Sequence, residues 1–289
     1  MDHMTCRGLF AGAITIDIQY LVDSFPGPNT KSFAEQLSMS TGGPATNAAV
    51  TFSHLGGQAH LLTVIGSHPY TRFMTDELQR YGVTSTDLVT GAAHTPPISS
   101  IITTAPCGDR SVVTWAARNI ALAASLSGLS PRDFDIVLVD GFYMKVCRVI
   151  AEQAKEAAVT VVLDAGSWKF GMEPLLPSID IAICSETFSP PGITGQAAVL
   201  NFLRDQGIQH VAITRGGESI IYSSEEGAGE IPVGAVEVVD TLGAGDILHG
   251  AFCYFYAESA SFAAALEQAA RVATLSCQSF GTRSWMHRP

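Results

Sequence analysis

The run Asp240-Thr241-Leu242-Gly243-Ala244-Gly245-Asp246 is the strongest indication of the fold in this sequence. It follows the apolar residues Val236, Val238 and Val239, which predict a strand, and it precedes an apolar run that predicts a buried helix. The two glycines permit a tight turn, so unpaired backbone N–H groups meet where the helix begins. Because the helix dipole is positive at that end, the stretch predicts an anion pocket, with phosphate as the expected anion.

Asp246 has two alternative roles at the start of this helix. The ordinary role is a first-turn carboxylate that complements the helix dipole. The second follows from the predicted phosphate pocket, where a carboxylate is repulsive unless it takes part in the chemistry. In phosphoryl transfer a carboxylate accepts the proton of an attacking hydroxyl, and nearby N–H groups hold the charge. Asp246 is therefore a candidate general base, and Gly243, Ala244 and Gly245 are a candidate anion hole.

A second motif lies near the other end of the chain. It runs from Gly42 to Ala49 as Gly-Gly-Pro-Ala-Thr-Asn-Ala-Ala and continues to Leu55-Gly56-Gly57. The two motifs together resemble the signatures of the ribokinase-like (PfkB) carbohydrate kinases, and the resemblance extends from Gly8 to about Gly281. The segment from Asp109 to Asn119 loosely resembles the ketohexokinase branch of that family.

Strands and helices alternate along most of the chain, which predicts an α/β fold: a mostly parallel central sheet with helices on both faces. The first buried strand is predicted at residues 9–18, with Asp17 at its end. The other predicted strands are at 60–65, 136–139, 160–163, 180–184 and 210–214. The predicted helices are at 44–55, 70–81, 146–157, 196–206, 244–257 and 261–279.

Residues outside this alternation predict a small β lid. Runs at 98–104 and 110–115 predict a hairpin, and residues 19–40 contain a turn cluster followed by an extended edge at 31–39. We interpret residues 1–289 as a single kinase domain with lid segments at about 19–40 and 98–115. An exposed sheet edge invites pairing with another chain, so we expect a homodimer through the lid.

Four residues form the candidate sugar site: Asp17, Gly42, Gly43 and Asn47. A polyol needs a carboxylate to accept hydrogen bonds, an amide that donates and accepts, and glycines that allow close approach. The alternative is that Asp17 caps a turn, the glycines form a plain loop and Asn47 faces solvent. The resemblance implies that Asp17 and Asn47 bind substrate hydroxyls.

Two arginines of the predicted lid, Arg110 and Arg118, also have two interpretations. The ordinary one is a solvated surface charge. The alternative is that one of them contacts the substrate or the transferring phosphoryl group when the lid closes. We include Arg110 among the candidate substrate-binding residues. Apart from these two, Lys31 is the basic residue near the sugar-site segments, so the substrate is predicted to be a neutral sugar and not a sugar phosphate.

The nucleotide site is assigned from the resemblance. Thr214-Arg215-Gly216-Gly217 resembles the family's Thr-x-Gly nucleotide loop, although a turn that ends a strand would explain the glycines equally well. The resemblance implies nucleotide contacts for Thr214, Gly216 and Gly217, and for Ser185 and Thr241. The sequence contains no P-loop motif.

The sequence departs from the family pattern at the segment where the metal site is expected. Where the family carries Asn-x-x-Glu, this chain has Ser185-Glu186-Thr187-Phe188. Either Glu186 replaces the missing glutamate through water, or Mg²⁺ relies on phosphate oxygens alone. The resemblance implies ATP and Mg²⁺ as cofactors and leaves a monovalent cation such as K⁺ open.

Composition narrows the class of protein. A net charge of −11 with 16 Lys and Arg argues against a nucleic-acid partner. The chain has no apolar stretch of membrane-spanning length, and its six cysteines form no Cys-x-x-Cys pair, so we expect a cytoplasmic protein with reduced thiols, no membrane partner and no zinc site.

Taken with these limits, the motifs predict ATP-dependent phosphorylation of a small-molecule sugar, either a free ketohexose or a ribose-like sugar. The alternatives are a nucleoside kinase, with Phe25 or Phe33 clamping the base, and a phosphosugar kinase. A third alternative is a sugar or nucleotide sensor without catalysis.

Overall fold

The computed structural model describes residues 5–89, 91–105, 108–116, 122 and 128–287. Within these residues the strands are β1 (Arg7–Ala11), β2 (Thr15–Val22), β3 (Gln36–Gly42), β4 (Gln58–Thr63), β5 (Thr84–Asp87), β6 (Ile98–Thr104), β7 (Arg110–Trp115), β8 (Ile136–Val139), β9 (Thr160–Ala165), β10 (Ile181–Ser185), β11 (His210–Arg215), β12 (Glu218–Ser224) and β13 (Gly227–Ile231). The helices are α1 (Pro44–His54), α2 (Thr71–Arg80), α3 (Met144–Glu156), α4 (Gln196–Asp205), α5 (Ala244–Ser259) and α6 (Phe262–Ser276).

The large sheet has nine strands in the order β13-β12-β11-β10-β9-β8-β1-β4-β5. All neighbours from β11 to β5 are parallel, and β12 and β13 join as antiparallel strands at one edge. The prediction of a mostly parallel α/β sheet is confirmed. In such a sheet, ligands bind beyond the carboxyl ends of the strands, and Ser185 and Thr214 lie at these ends of β10 and β11.

Both faces of the large sheet are covered by helices. Successive strand residues point to opposite faces, so Phe10 belongs to one hydrophobic core while Leu9 belongs to the other. The first core contains residues of α1, α2, α5 and α6, and the second contains residues of α3 and α4. Burial on both faces explains why the strands have continuous apolar runs and lack polar alternation.

The small sheet has four strands in the order β3-β2-β6-β7. Strands β6 and β7 pair antiparallel at the predicted positions, which confirms the hairpin; residues 106 and 107 of its turn lie outside the described residues. Within residues 19–40 the extended edge begins at Gln36 and not at Lys31, because residues 31–35 form no regular element. The small sheet also begins earlier than expected, at Thr15.

The prediction of one strand over residues 9–18 is wrong. The chain leaves the large sheet after Ala11 and enters the small sheet at Thr15. The break lies at Gly12, where an added Cβ would lie 2.1 Å from the Asp140 carboxylate, and the N–H of Ala13 donates to that carboxylate at 2.8 Å. A continuous strand is incompatible with this contact. Asp17 therefore lies inside a strand of the small sheet.

The strand predicted at Val236 to Val239 is also absent, since these residues form an irregular segment. Its backbone is held by the Cys277 carbonyl, which accepts from the N–H groups of Val239 and Asp240 at 2.8 and 3.1 Å. Three strands were not predicted: β5, β12 and β13. They lie at the two edges of the large sheet, where partly exposed polar residues weaken the apolar pattern.

The composition led to expectations about the cysteines and about membrane-spanning segments. The cysteines of the described residues are free thiols, four of them buried and Cys277 half-buried. None of the helices in the described ranges has the length and apolar character needed to cross a bilayer.

Candidate active site

The start of α5 has the geometry of an anion-binding helix terminus. Gly243 precedes the helix with φ 70° and ψ 5°, a left-handed conformation that favours glycine. The N–H of Ala244 donates to the Thr241 carbonyl at 3.3 Å. Among the described residues, the N–H groups of Gly243 and Gly245 have no acceptor. A Cβ on Gly245 would meet nothing within 4 Å, so the space beside Gly245 is open, whereas a Cβ on Gly243 would lie 2.9 Å from Thr282 Cγ2.

Asp246 lies in the first turn of α5, where Asn47 of α1 holds it. The side-chain Nδ2 of Asn47 donates to Asp246 Oδ2 at 2.7 Å. Asn47 is almost fully buried and Asp246 is partly buried. The contact joins the two sequence motifs and leaves Oδ1 of Asp246 for another partner.

The environment of Asp246 favours its protonated form. Burial and the nearby Asp164 carboxylate raise the pKa of Asp246 to about 7, while the hydrogen bond from Asn47 acts in the opposite direction. A carboxyl group with a pKa near neutral pH is well suited to accept a proton and release it again.

Asp17 lies beside this site on β2. Its Oδ1 accepts from the Thr15 hydroxyl at 2.6 Å, and burial raises the pKa of its carboxyl group. Its Oδ2 would lie 1.9 Å from a Cβ on Gly42, so only glycine fits at the end of β3. Gly43 follows directly and caps α1. Asp17, Gly42, Gly43 and Asn47 are therefore in one region, as the candidate sugar site requires.

Asn47 does not face solvent, which excludes that alternative. Its Oδ1 accepts from Arg283 Nη1 at 2.9 Å, and its Nδ2 is used by Asp246. Both polar atoms of the side chain are therefore engaged by protein groups. Sequence reasoning missed Arg283, because it is an isolated basic residue in the segment after α6 and no pattern marks it.

Two further buried carboxylates were missed. Asp140 follows β8 and Asp164 lies near the end of β9, and both come directly after apolar runs. That position was the available signal, because the carboxyl ends of parallel strands meet at the ligand-binding edge. Burial raises the pKa of Asp140 to about 6, and its carboxylate accepts N–H groups of Ala13 and Phe142. Asp140 thus organises backbone around the site.

His249 connects α5 to the large sheet. Its Nδ1 lies 2.7 Å from the Gly245 carbonyl and 3.6 Å from Asp164 Oδ2, and its Nε2 lies 3.1 Å from the Ile183 carbonyl. The side chain is buried. These contacts fix the start of α5 above β9 and β10.

The small sheet touches the segment that contains the α5 motif. Gln19 Nε2 donates to Asp240 Oδ2 at 2.6 Å, and Arg110 Nη1 donates to the Thr241 hydroxyl. Arg110 is thus engaged by Thr241 and not by the Asp17 region. Arg118 lies outside the described residues. Phe25 and Phe33, the expected base clamp, are solvent exposed at 44% and 82%.

The expected nucleotide residues form a second group at the ends of β10 and β11. Ser185 pairs with Thr214 across these strands, and the Thr214 hydroxyl donates to the Cys184 carbonyl at 3.2 Å. Gly216 and Gly217 form the turn into β12, where added Cβ atoms would meet nothing within 4 Å. Thr241 is not in this group, since it lies at the small sheet with Arg110.

The departure from Asn-x-x-Glu has a structural reason. Phe188, at the position of the expected glutamate, is buried and lies 5.7 Å from Trp168 between ring centroids. Glu186 is exposed, and its N–H donates to the Thr214 carbonyl at 2.9 Å. It lines a cavity of about 250 Å³ that also contacts Phe188 and Gly195.

The side chains around this cavity can hold Mg²⁺ in only one type of coordination. Mg²⁺ prefers oxygen ligands and keeps several waters. The described part of the chain contains no group of three His, Cys, Asp or Glu side chains that could hold a metal ion directly. The residues therefore suit an ion held by water, phosphate oxygens and at most one or two carboxylates.

An open helix terminus for an anion, next to a partly buried carboxyl group, is the arrangement of a phosphoryl-transfer site. A profile of the pfkB family carbohydrate kinases matches residues 9–288. The chain belongs to the pfkB family of carbohydrate kinases, and is a sugar kinase that transfers phosphate to a hydroxyl group.

Individual relatives are similar over nearly their full lengths. A deoxyribokinase of Salmonella typhimurium is 24% identical over 296 residues, covering 94% of this chain and 93% of the relative. A ribokinase of Haemophilus influenzae is 26% identical over 288 residues, covering 94% and 92%. The resemblance to the ketohexokinase branch stays a prediction.

Solved structures share the fold. A protein of Agrobacterium tumefaciens superposes with a TM-score of 0.86 at 24% identity, covering 99% of this chain and all of that one. A ribokinase of Giardia lamblia gives 0.81 at 15% identity, covering 98% and 97%. A fructokinase of Xylella fastidiosa, solved with bound ATP, gives 0.76 at 20% identity, covering 97% and 94%. At these identities the structures show a common ribokinase-like fold.

Proposed function

We propose that this sugar kinase transfers the γ-phosphate of ATP to a hydroxyl of a free sugar, with Asp246 as the general base. The observation that carries the proposal is the contact of Asn47 with Asp246 beside the open start of α5. It places a candidate hydroxyl-binding motif and a candidate phosphate-binding motif around one carboxyl group. A pKa of about 7 for Asp246 supports the role, because such a group exchanges protons near neutral pH.

The proposed reaction uses the two oxygens of Asp246 differently. Asn47 binds Oδ2, so Oδ1 is the atom that accepts the proton of the sugar hydroxyl. The deprotonating hydroxyl oxygen attacks the γ-phosphorus, and the bond to the leaving ADP oxygen breaks. The N–H groups of Gly243 and Gly245 stabilise the charge on the transferring group, joined by Ala244 when its weak bond to Thr241 opens.

Nucleotide binding is proposed at the second group of residues. Ser185, Thr214, Gly216 and Gly217 lie at the carboxyl ends of neighbouring parallel strands, and the space around the two glycines is open. When bound, Mg²⁺ neutralises charge on the phosphates. Glu186 is the exposed carboxylate that would hold one of its waters.

The substrate is proposed to be a neutral sugar. Asp17 is the buried carboxylate that accepts hydrogen bonds from its hydroxyls, and a sugar phosphate would be repelled there. The cation nearest to the site, Arg283, already donates to Asn47 and to the Thr41 carbonyl. The names of the relatives, ribokinase and deoxyribokinase, favour ribose or deoxyribose over a ketohexose as the first candidates.

We also propose that the small sheet acts as a lid and joins two subunits. Its inner face carries Asp17 and Gln19, and its outer face is apolar. Residues opposite one another in neighbouring strands share a face, so Tyr20 lies beside Leu37, and Met39 lies in the row of Val113. The exposed fractions of Leu37 and Val113 are 59% and 74%. An apolar face of this kind favours burial against a second copy of the chain.

The experiment that tests the proposed function measures ADP release with a panel of acceptors, each product being identified by mass. The panel contains ribose, deoxyribose, fructose, adenosine, ribose 5-phosphate and fructose 1-phosphate. It is run with Mg²⁺ in KCl and in NaCl, because the resemblance leaves a monovalent cation such as K⁺ open. We expect phosphorylation of ribose or deoxyribose. A clear preference for a monophosphate, or for the nucleoside, would contradict the neutral-sugar proposal, and ATP or sugar binding without turnover would indicate a sensor.

A further inference from the structure

Arg283 is buried next to the base, although arginine is rarely buried unless it is paired. Its exposed fraction is 8%. Nη2 donates to the Thr41 carbonyl at 2.7 Å, and Nη1 donates to Asn47 Oδ1 at 2.9 Å. Nε lies 3.7 Å from Oε1 of Glu77, a buried carboxylate on α2. A side chain from the last segment of the protein is thus fixed between the small sheet and the helix that carries Asn47.

The chemistry of arginine determines which way Asn47 points. A guanidinium group has five N–H donors and no acceptor, so the Asn47 atom that faces it must be the carbonyl oxygen. The amide group of Asn47 then has to point to the other side, where Asp246 Oδ2 lies at 2.7 Å. Without a donor at the Oδ1 side, only the contact with Asp246 orients the amide.

We propose that Arg283 is a positioning residue for phosphoryl transfer: it orients the Asn47 amide, which in turn holds Oδ2 of Asp246 and directs Oδ1 to the sugar hydroxyl. This inference rests on the proposed function, in which Asp246 is the general base. It assigns to the C-terminal segment a role in the reaction that neither sequence motif contains.

Several charged or polar groups face Asp246, and their effects on its pKa have opposite signs. Asp164 on β9 and Asp17 on β2 raise the pKa, while Asn47 on α1 and His249 on α5 lower it. Arg283 faces both Asp17 and Asp246 from the C-terminal segment. Loss of the Asn47 hydrogen bond removes one of the two effects that lower the pKa of Asp246, while Asp164 and Asp17 continue to raise it. The pKa of Asp246 should therefore rise.

A purely structural role is the competing explanation. Glu77 accepts the Thr41 N–H at 2.5 Å and lies beside Arg283, so the arginine could serve only to attach α2 to β3. That role predicts a change in stability and, because Arg283 also faces Asp246 directly, a shift in the titration of Asp246 that does not depend on Asn47. Direct measurement of this carboxyl group in the resting enzyme, with and without Asn47, therefore separates the two roles.

The experiment titrates the Asp246 side-chain carboxyl carbon by NMR in the full chain without substrate, with Asp246→Asn to assign the signal. Arg283→Met removes all donors at similar length, and Arg283→Lys restores one. Should the unpaired Glu77 unfold the Arg283→Met protein, the pair Glu77→Gln with Arg283→Met removes both buried charges. Arg271→Met, an exposed arginine on α6, is the matched control.

We expect Arg283→Met to raise the pKa of Asp246 by about one unit and Arg283→Lys to restore most of it. The acid limb of kcat/KM should move by the same amount, with kcat/KM about fivefold lower at pH 7. An unchanged titration in Arg283→Met would overturn the proposal. So would an equal shift in an Asn47→Leu background, because the effect would then not pass through Asn47.

Different results would contradict the proposed function and the proposed role of Arg283. Absence of sugar phosphorylation by the wild-type protein would contradict the proposed function, while the NMR titration would still decide whether Arg283 orients Asn47. Turnover with an unchanged titration would leave the kinase assignment intact and remove Arg283 from the reaction.

Discussion

Asn47 donates from Nδ2 to Oδ2 of Asp246 at 2.7 Å, although the two residues are 199 positions apart in the sequence. Asn47 belongs to the Gly-Gly-Pro-Ala-Thr-Asn motif and Asp246 to the Gly-Ala-Gly-Asp motif. The contact brings α1 and α5 together at their N-terminal ends, where both helix dipoles are positive. The two motifs therefore form a single site, with one carboxylate oxygen held and the other open.

The first prediction concerns the pH dependence of turnover. Burial and Asp164 raise the pKa of Asp246 to about 7, and a general base must be deprotonated to act. We expect kcat/KM for the sugar to rise with pH, with its acid limb near pH 7, because this ratio reports the free enzyme. The check is kcat/KM at a fixed, saturating ATP concentration between pH 5 and 9. An acid limb near pH 4, with no change in rate above it, would mean that Asp246 is an ordinary solvated carboxylate.

The second prediction concerns stability. A carboxyl group whose pKa is raised by folding stabilises the folded state while it is protonated, and that contribution is lost as pH rises through about 7. Asp246→Asn removes the charge but still offers an oxygen to Asn47. We therefore expect the variant to be more stable than wild type at pH 8, on the order of 1 to 2 kcal/mol, and by a smaller margin at pH 5, because the contribution is lost between about pH 4 and pH 7. Thermal unfolding at both pH values, with exposed Asp205→Asn as control, is the measurement. Equal effects of the two substitutions at pH 8 would contradict the expected role of burial.

The third prediction compares two glycines at the site. A Cβ on Gly42 would lie 1.9 Å from Asp17 Oδ2, so Gly42→Ala must displace that carboxylate. We expect it to lose about 1 to 3 kcal/mol of stability and to raise the KM for sugar. Gly245→Ala meets no atom within 4 Å and lies in a helix, so it should keep or gain stability.

In Gly245→Ala the new methyl group lies in the open space before the anion-binding N–H groups, so kcat should fall while the protein stays folded. Gly234→Ala, in an exposed loop where a Cβ also meets nothing, is the control. Full activity of Gly245→Ala would argue against an anion at this helix start.

The fourth prediction concerns the dimer. Val113 and Trp115 lie on the apolar outer face of the small sheet and are 74% and 54% exposed. The Val113→Glu and Trp115→Glu double variant should convert a wild-type dimer to monomers in analytical ultracentrifugation, because it places charges in the proposed interface. Val149→Glu, on an exposed position of α3, controls for the added charge. A monomeric wild-type protein at micromolar concentration would contradict the proposed interface.

The sequence was sufficient for the architecture because the buried strands of a parallel sheet have continuous apolar runs, as in Ile136–Val139, which was predicted with its observed bounds. The sequence was insufficient where contacts between distant segments determine the local structure. The break at Gly12 exists because Asp140, more than a hundred residues away, occupies the space of a Cβ. The segment before Asp240 has a strand-like pattern, yet it pairs with the Cys277 carbonyl and not with a strand.

The residues of the candidate site also divide into those that a local sequence pattern predicts and those that only the tertiary structure reveals. Asp246 and Asn47 were identified from glycine-rich motifs, and Asp17 was identified from a predicted strand end that the structure places inside β2. Arg283 was not identified, because its importance depends on a contact made across 236 residues. Thr241 and Arg110 were assigned to nucleotide and substrate separately, and the contact between them was not predicted. Pairings of this kind arise from the packing of the small sheet and have no local signal.

The most direct test of the central claim is single-turnover phosphoryl transfer from ATP to ribose or deoxyribose by wild type and by Asp246→Asn, with ATP affinity measured on the same samples. We predict that the substitution lowers the rate about a hundredfold or more while the dissociation constant of ATP changes little, because a general base acts in the transition state and not in nucleotide binding. A rate in Asp246→Asn close to that of wild type would contradict the assignment of Asp246 as the base.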